Sequence, residues 1–261
     1  VGLRRIGVDE FSYRRRHRYL TVVVDHDRRR VVWAGEGRSG GVLAAFFALL
    51  GEKGRRGIRE VTIDMAGGYI EAVKRYLPKS RIIFDRFHVQ RLASDAVDEV
   101  RRSLVRELAG TEEARSIKRT RFVLLKSPRH LTGQEHERLS ELQRTNRRLY
   151  RAYLLKEALA SALDYRTPWI ARAKLRAWMG WAARSRLKPF TRVARTIRKH
   201  LEGILAYVRT RLTNGVVEGL NTKLRMVTRS AFGFHSAQAL ISMRFLSCGG
   251  IQLNPPRPPR P

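Results

Sequence analysis

The sequence predicts an α/β protein in which a sheet-forming first third is followed by a large all-helical block. Three observations carry this. Short β-branched and alternating apolar stretches recur up to about residue 88. From Phe87 the apolar period becomes helical and stays so over roughly a hundred residues. Hydrophobic residues make up 43% of 261 positions, enough for a full core.

The region Leu3 to Val24 organises the front of the chain. Ile6 and Val8 alternate into an acidic end at Asp9, a basic turn follows, and Tyr19 to Val24 is β-branched and apolar, which predicts a hairpin. Arg30 to Ala34, with Val31, Val32 and Trp33, predicts a third strand closed by Gly35, Gly37, Gly40 and Gly41. Val42, Leu43, Phe46, Phe47 and Leu50 recur at helical spacing up to a stop at Gly51. Ile58 to Asp64 reads as a strand with an acid at its C-terminal end. Gly67-Gly68 turns into a helix from Tyr69 to Leu77, ended by Pro78, and Arg81 to Asp85 is a further strand ending in an acid. The expected order is β-β-β-α-β-α-β.

Within the helical block, Val97, Val100, Leu104 and Leu108 form one stripe, and Thr132 with Glu135 predicts a capping box. Pro168 stands where a first-turn proline belongs, ahead of Ala171, Leu175, Trp178 and Ala182. Trp169, Trp178 and Trp181 suit either core packing or stacking on bases, and the stripe through Trp178 favours packing. Phe190, Val193, Ile197, Leu201, Ile204, Val208 and Leu212 predict one long helix with Arg192, Arg195, Arg198 and Lys199 outside it, facing DNA. Thr213-Asn214-Gly215 breaks that repeat and opens a helix carrying Val217, Glu218, Leu220, Asn221, Leu224 and Arg225. Asn254 to Pro261 alternates proline and arginine and predicts an extended tail.

The formal charge is +31, from 54 Lys plus Arg against 23 Asp plus Glu. Nucleic acid is the expected partner, because each neutralised phosphate releases counterions and sequence-independent binding follows. The alternative is a generally basic composition, since Arg far outnumbers Lys. Cys248 is the single cysteine, so neither a disulfide nor a cysteine zinc ribbon is expected within the chain, and a reducing cytoplasm fits. The longest apolar run, Val42 to Leu50, is too short for a bilayer, so no membrane partner is expected. The chain begins at Val1 without methionine or signal peptide, from which a missing N-terminal part is expected.

Asp9, Asp64 and Asp85 fall at or near predicted strand ends, and Glu218 in the first turns of a late helix. Strand ends collect ligands because side chains leave the core there while the backbone stays rigid. Each position also has a structural reading, Glu218 as a favourable charge at a helix start. Taken together in so basic a chain, clustered carboxylates beside a phosphate backbone call for a hard, oxygen-seeking cation such as Mg²⁺.

Six blocks in order carry a resemblance: Gly7 to Ser12, His17-Arg18-Tyr19, Thr62 to Met65, Phe84 to Val89, Leu155-Lys156-Glu157 and Leu212 to Asn221. They resemble the DDE transposases of bacterial insertion sequences, specifically the ISL-three family, from about Gly2 to Gly250. The resemblance implies a ribonuclease-H-like catalytic core in two pieces, 1–88 and 213–247, split by a helical insertion at 89–212 and followed by a tail at 248–261. It implies Asp9, Asp64 and Glu218 as catalytic ligands of two Mg²⁺ ions, with Mn²⁺ as substitute, roughly 3.5 to 4 Å apart. Asp85 and His88 resemble an Asp-x-x-His element and are secondary candidates, with a helix cap and a buried histidine as their structural alternative. Arg14, Arg15, Arg16 and Arg18 are expected on phosphates, joined by Lys223 and Arg225 on the late helix. A homodimer or higher assembly on DNA is implied. Two features depart from the family. The family's cysteine-rich zinc element and helix-turn-helix are not within the sequence from Val1 on, in line with the expected missing N-terminal part, and Ala66-Gly67-Gly68 stands where the family often has a Trp-Pro pair. A nuclease or resolvase without strand transfer, and a non-catalytic DNA-binding remnant, are the competing functions.

Overall fold

The computed structural model describes residues 2–14, 18–65 and 67–250, and of Tyr13 and Arg14 the backbone alone. Strands β1 (Arg5–Arg14), β2 (Arg18–Asp25) and β3 (Arg30–Glu36) lead into helix α1 (Gly40–Arg56), followed by β4 (Glu60–Ile63), α2 (Gly67–Tyr76) and β5 (Arg81–Phe84). The five strands form one sheet in the order β3-β2-β1-β4-β5. β1 runs antiparallel to β2 and parallel to β4, which makes the sheet mixed and ribonuclease-H-like. The order β-β-β-α-β-α-β agrees with the sequence reading. The chain forms two compact units, residues 1–83 with 212–261 and residues 84–211.

Strand alternation assigns the faces of the first unit. Gly7, Asp9 and Phe11 pair with Val24, Val22 and Leu20 and point to one face. That face carries a buried cluster of Phe11, Leu20, Val22, Val24 and Val31 with Val217 and Leu224 of α11 (Gly215–Ser230) and Leu240 and Cys248 of α12 (Ala237–Cys248). Val8, paired with Val23, points to the other face, where Trp33 meets Phe46 of α1 with ring centroids 5.6 Å apart.

Several local expectations need correction. β1 does not end at Asp9 but continues to Arg14, because it stays paired with β2 as far as Arg18; Asp9 is therefore mid-strand. Gly51 kinks α1 with φ 63° and does not stop it. The starts of α1 and α2 meet backbone to backbone: a Cβ on Gly40 would lie 2.4 Å from the Gly68 carbonyl oxygen and one on Gly68 3.2 Å from the Gly40 nitrogen, whereas a Cβ on Gly67 would meet nothing within 4 Å. Helix α12 has no counterpart among the expected elements.

The second unit is all-helical: α3 (Arg86–Glu107), α4 (Glu112–Arg119), α5 (Arg121–Leu125), a 3₁₀ turn (Pro128–His130), α6 (Gly133–Thr145), α7 (Arg147–Asp164), α8 (Pro168–Arg184), α9 (Lys188–Lys199) and α10 (Leu201–Thr210). The Thr132–Glu135 capping box and the first-turn Pro168 are present. Trp178 is buried and its indole N–H donates to the Leu155 carbonyl at 2.7 Å, whereas Trp169 is exposed. Lys156 is also buried. It donates to the carbonyls of Leu124 and Lys126 at 2.7 and 2.8 Å, closing the end of α5, and pairs with Glu157 at 2.6 Å. The long helix expected from Phe190 to Leu212 is broken at His200 into α9 and α10. The His200 ring packs edge-on against Phe84, with centroids 4.8 Å apart, and this contact is a tertiary one that no local pattern records.

Candidate active site

The site begins with register. Gly7 of β1 is paired with Thr62 of β4, so the parallel pairing continued by two residues sets Asp9 level with Asp64, which directly follows β4. Two acids thus stand at the same height, Asp9 within β1 and Asp64 just past the end of β4. The strand on which Asp9 lies is held on both sides at its root, by β2 and by β4.

Glu218 arrives from α11, and the docking of that helix is specific. On a helix, positions 214, 217, 218 and 221 share one face. Val217 lies over Gly7 so closely that a Cβ on Gly7 would be 2.8 Å from its Cγ2 and 2.7 Å from Nε2 of His26. Asn214 stands at the N-cap position but makes no capping bond with its side chain. Its amide reaches sideways: Nδ2 donates to the Val8 carbonyl at 3.2 Å, and Oδ1 accepts from the Thr62 hydroxyl. Asn221, one turn on, donates from Nδ2 to Oδ2 of Asp9 at 2.9 Å. The other Asp9 oxygen accepts from the Glu10 backbone N–H at 2.8 Å. Glu218 is on the face of α11 that these two asparagines fasten to β1.

His26 completes the support. Its Nε2 is 2.7 Å from the Thr62 hydroxyl. That hydroxyl spends its one proton on Asn214, so His26 must donate from Nε2. Burial, reinforced by the nearby Arg5 cation, lowers the His26 pKa to about 4 despite the opposing Asp27 and Asp25, and the ring is neutral near pH 7.

Glu10 was not singled out as a site residue, although it adjoins Asp9 in sequence. Burial raises its pKa, and the charges of Asp64 and Asp9 push it the same way; Arg38 and a hydrogen bond with Tyr69 oppose them. Tyr69 is buried, with its hydroxyl 2.9 Å from that of Thr21, and burial raises its pKa as well. Glu10, which strand alternation turns to the face opposite Asp9, is therefore repelled by the charges of both Asp64 and Asp9. Asp9 and Asp64 offer carboxylate oxygens, the donors a hard divalent cation takes, so the residues present fit such an ion.

The ISL-three DDE family model, described as "Transposase", matches residues 6–243 of this chain. The chain belongs to the ISL-three family of DDE transposases. It is 39% identical over 272 residues to the transposase for insertion sequence element IS1557 of Mycobacterium tuberculosis, covering 96% of this chain and 61% of that protein. It is 33% identical over 235 residues to the transposase for insertion sequence element IS1001 of Bordetella parapertussis, covering 89% of this chain and 58% of that one. The chain thus spans about three-fifths of the length of these relatives.

The remaining candidate positions of this transposase-family chain lie on several elements. Asp85, in the helical unit, is buried and precedes α3; its side chain makes no capping bond to that helix, which does not support a plain N-cap role. His88 is half-buried on the first turn, its ring against Phe87. Arg195, Arg198 and Lys199 are exposed on α9 as expected, while Arg192 is also ion-paired with Glu99. Arg18 and Arg225 are exposed, the latter with its guanidinium 5.7 Å from the Phe11 ring centroid. Lys223 donates to the Ser247 carbonyl at 2.8 Å, which ties α11 to the end of α12. Arg15 and Arg16 lie outside the described residues, as does the side chain of Arg14. Among the described residues, no helix is long and apolar enough to cross a membrane.

Proposed function

We propose that this chain carries the phosphodiester chemistry of insertion-sequence transposition, with Asp9, Asp64 and Glu218 as its catalytic carboxylates. The observation that supports it most is the register that levels Asp9 with Asp64 on neighbouring strands, together with the docking of the Glu218-bearing face of α11 on β1. The helical unit is read as an insertion between the second and third carboxylates, and the protein as a homodimer or larger assembly on duplex DNA.

Asp9, Asp64 and Glu218 would hold two Mg²⁺ ions, or Mn²⁺ in their place. When bound, such ions polarise the attacking oxygen and stabilise the leaving oxygen of an in-line displacement at phosphorus. In cleavage, a water oxygen bonds to phosphorus as the P–O3′ bond breaks, leaving a 3′-hydroxyl and a 5′-phosphate. In strand transfer, that 3′-hydroxyl oxygen attacks a target phosphodiester and displaces its 3′-oxygen. The chain's part is to orient the carboxylates: the Glu10 backbone and Asn221 each hold one Asp9 oxygen, and Asn214 keeps α11 in place. Exposed Arg18, Arg195, Arg198, Lys199 and Arg225 supply phosphate contacts. Asp85 and His88 are proposed as secondary site residues.

The test uses DNA bearing the element's terminal repeats. Asp9→Asn and Asp64→Asn should each abolish Mg²⁺-dependent cleavage and joining while metal-free DNA affinity stays parental. Parental cleavage by either folded variant refutes that residue's role. Cleavage without joined products would make the protein a nuclease.

A further inference from the structure

Helix α12 turns Leu240, Arg244 and Cys248 toward the core, one residue per turn. A core position is an unusual place for arginine, yet Arg244 is fully buried. Its Nη2 donates to Oδ1 of Asn221, whose Nδ2 donates to Oδ2 of Asp9. The guanidinium also lies 5.5 Å from the Phe11 ring centroid. Its Nε and Nη1 have no hydrogen-bond partner among the described residues. A buried cation with two unsatisfied donors is a poor device for stability. Such groups call for another explanation, and here the geometry supplies one.

We propose that Arg244 is a positioning residue for Asp9, acting through Asn221; this rests on the reading of Asp9 as a metal-binding carboxylate. An arginine can only donate. The end of the Asn221 amide that faces it must therefore be the oxygen, and the NH₂ end must face Asp9. Without Arg244 the amide is free to rotate by half a turn and present its oxygen to a carboxylate, which repels it. Arg244 thus fixes which way the amide points, and the amide with the Glu10 N–H fixes the plane of the Asp9 carboxylate.

The experiment compares Arg244→Met, Arg244→Lys and Asn221→Asp with the parent in the full chain. The readouts are thermal stability, Mn²⁺ affinity by calorimetry without DNA, and Mn²⁺-dependent nicking of supercoiled plasmid. Arg244→Met removes the buried charge and its orphan donors, so the melting temperature should hold or rise. Mn²⁺ affinity should fall about 10–100-fold and nicking with it. Arg244→Lys keeps one donor and should recover part of the affinity. Unchanged Mn²⁺ binding and nicking in folded Arg244→Met would overturn the proposal and leave Arg244 a packing residue. Should that variant not fold, Asn221→Asp decides. Its carboxylate still pairs with Arg244 and keeps α11 and α12 together, but it offers Asp9 an acceptor where a donor stood. Nicking should be lost at saturating Mn²⁺, and parental turnover would overturn the relay. Asp9→Asn separates the two levels: if it retains Mn²⁺ binding and nicking, the reading of Asp9 falls and the relay with it. If it loses both while Arg244→Met and Asn221→Asp lose neither, the relay alone falls.

Discussion

Gly7 decides how closely α11 approaches the sheet. A methyl group there would meet both Val217 and the His26 ring inside 3 Å, and both are side chains locked in a packed core. Gly7→Ala should therefore destabilise the protein by about 1–3 kcal/mol through overpacking, read as a lower denaturant midpoint in urea. It should also weaken divalent-cation binding, because the helix that brings Asn221 and Glu218 is pushed off. Stability loss with unchanged Mn²⁺ affinity would mean that α11 does not complete the site. At this scale the sequence offers Asp9, Asp64 and Glu218 as candidate acids and is silent on the residues that hold them. Asp9, Asp64 and Glu218 stood in recognisable blocks. Asn221 stood in one of those blocks with no role attached. Arg244 could not be picked out, because its oddity appears only once α12 is known to bury the stripe it occupies.

The hairpin that begins with β1 is supported at its far end by His26, held neutral by burial beneath Thr62 and Asn214. The folded pKa of about 4 lies below the ordinary 6.5. Between those values the unfolded chain binds the proton and the folded one does not, so this contribution is complete above about pH 6.5 and is lost as pH falls toward 4. Chemical denaturation should show stability falling by about 2 kcal/mol between pH 7.5 and pH 5 from this group. His26→Gln, which keeps a donor for Thr62, should flatten that part of the profile; an unchanged profile in the variant would assign the loss to other groups. Elements with strong local signals were legible: the hairpin, the Thr132 capping box and the Pro168 helix start each follow from neighbours in sequence. Those set by distant contacts were not. β1 outruns its apolar alternation because β2 pairs with it past Asp9, and α9 stops at His200 against Phe84 although the apolar repeat runs on. The stripe of α12 is not legible as apolar because Arg244 stands in its middle.

Across the whole chain the charge of +31 is the dominant physical fact. Binding to arbitrary duplex should weaken steeply with salt, the slope of log affinity against log salt reporting several released counterions, at about 0.9 per phosphate contact. Replacing Arg195, Arg198 and Lys199 by alanine together should lower that slope by up to about 3 and weaken binding with little dependence on sequence. An effect confined to one DNA sequence would make these residues base readers. The composition makes nucleic acid the expected partner. The central claim is narrower: three carboxylates from β1, the end of β4 and α11 act as one unit. Glu218 tests it most directly, since an acid in the first turn of a helix also has a purely structural use, worth roughly 0.3–1 kcal/mol. Glu218→Gln preserves size and a coordinating oxygen and leaves Asn214, Val217 and Asn221 to dock the helix. The measurement is Mg²⁺-dependent cleavage of end-bearing DNA by the folded Glu218→Gln protein. The account predicts a loss of orders of magnitude, not additive with Asp9→Asn or Asp64→Asn, at near-parental thermal stability and metal-free DNA affinity. Near-parental cleavage would contradict it and leave α11 without a catalytic residue.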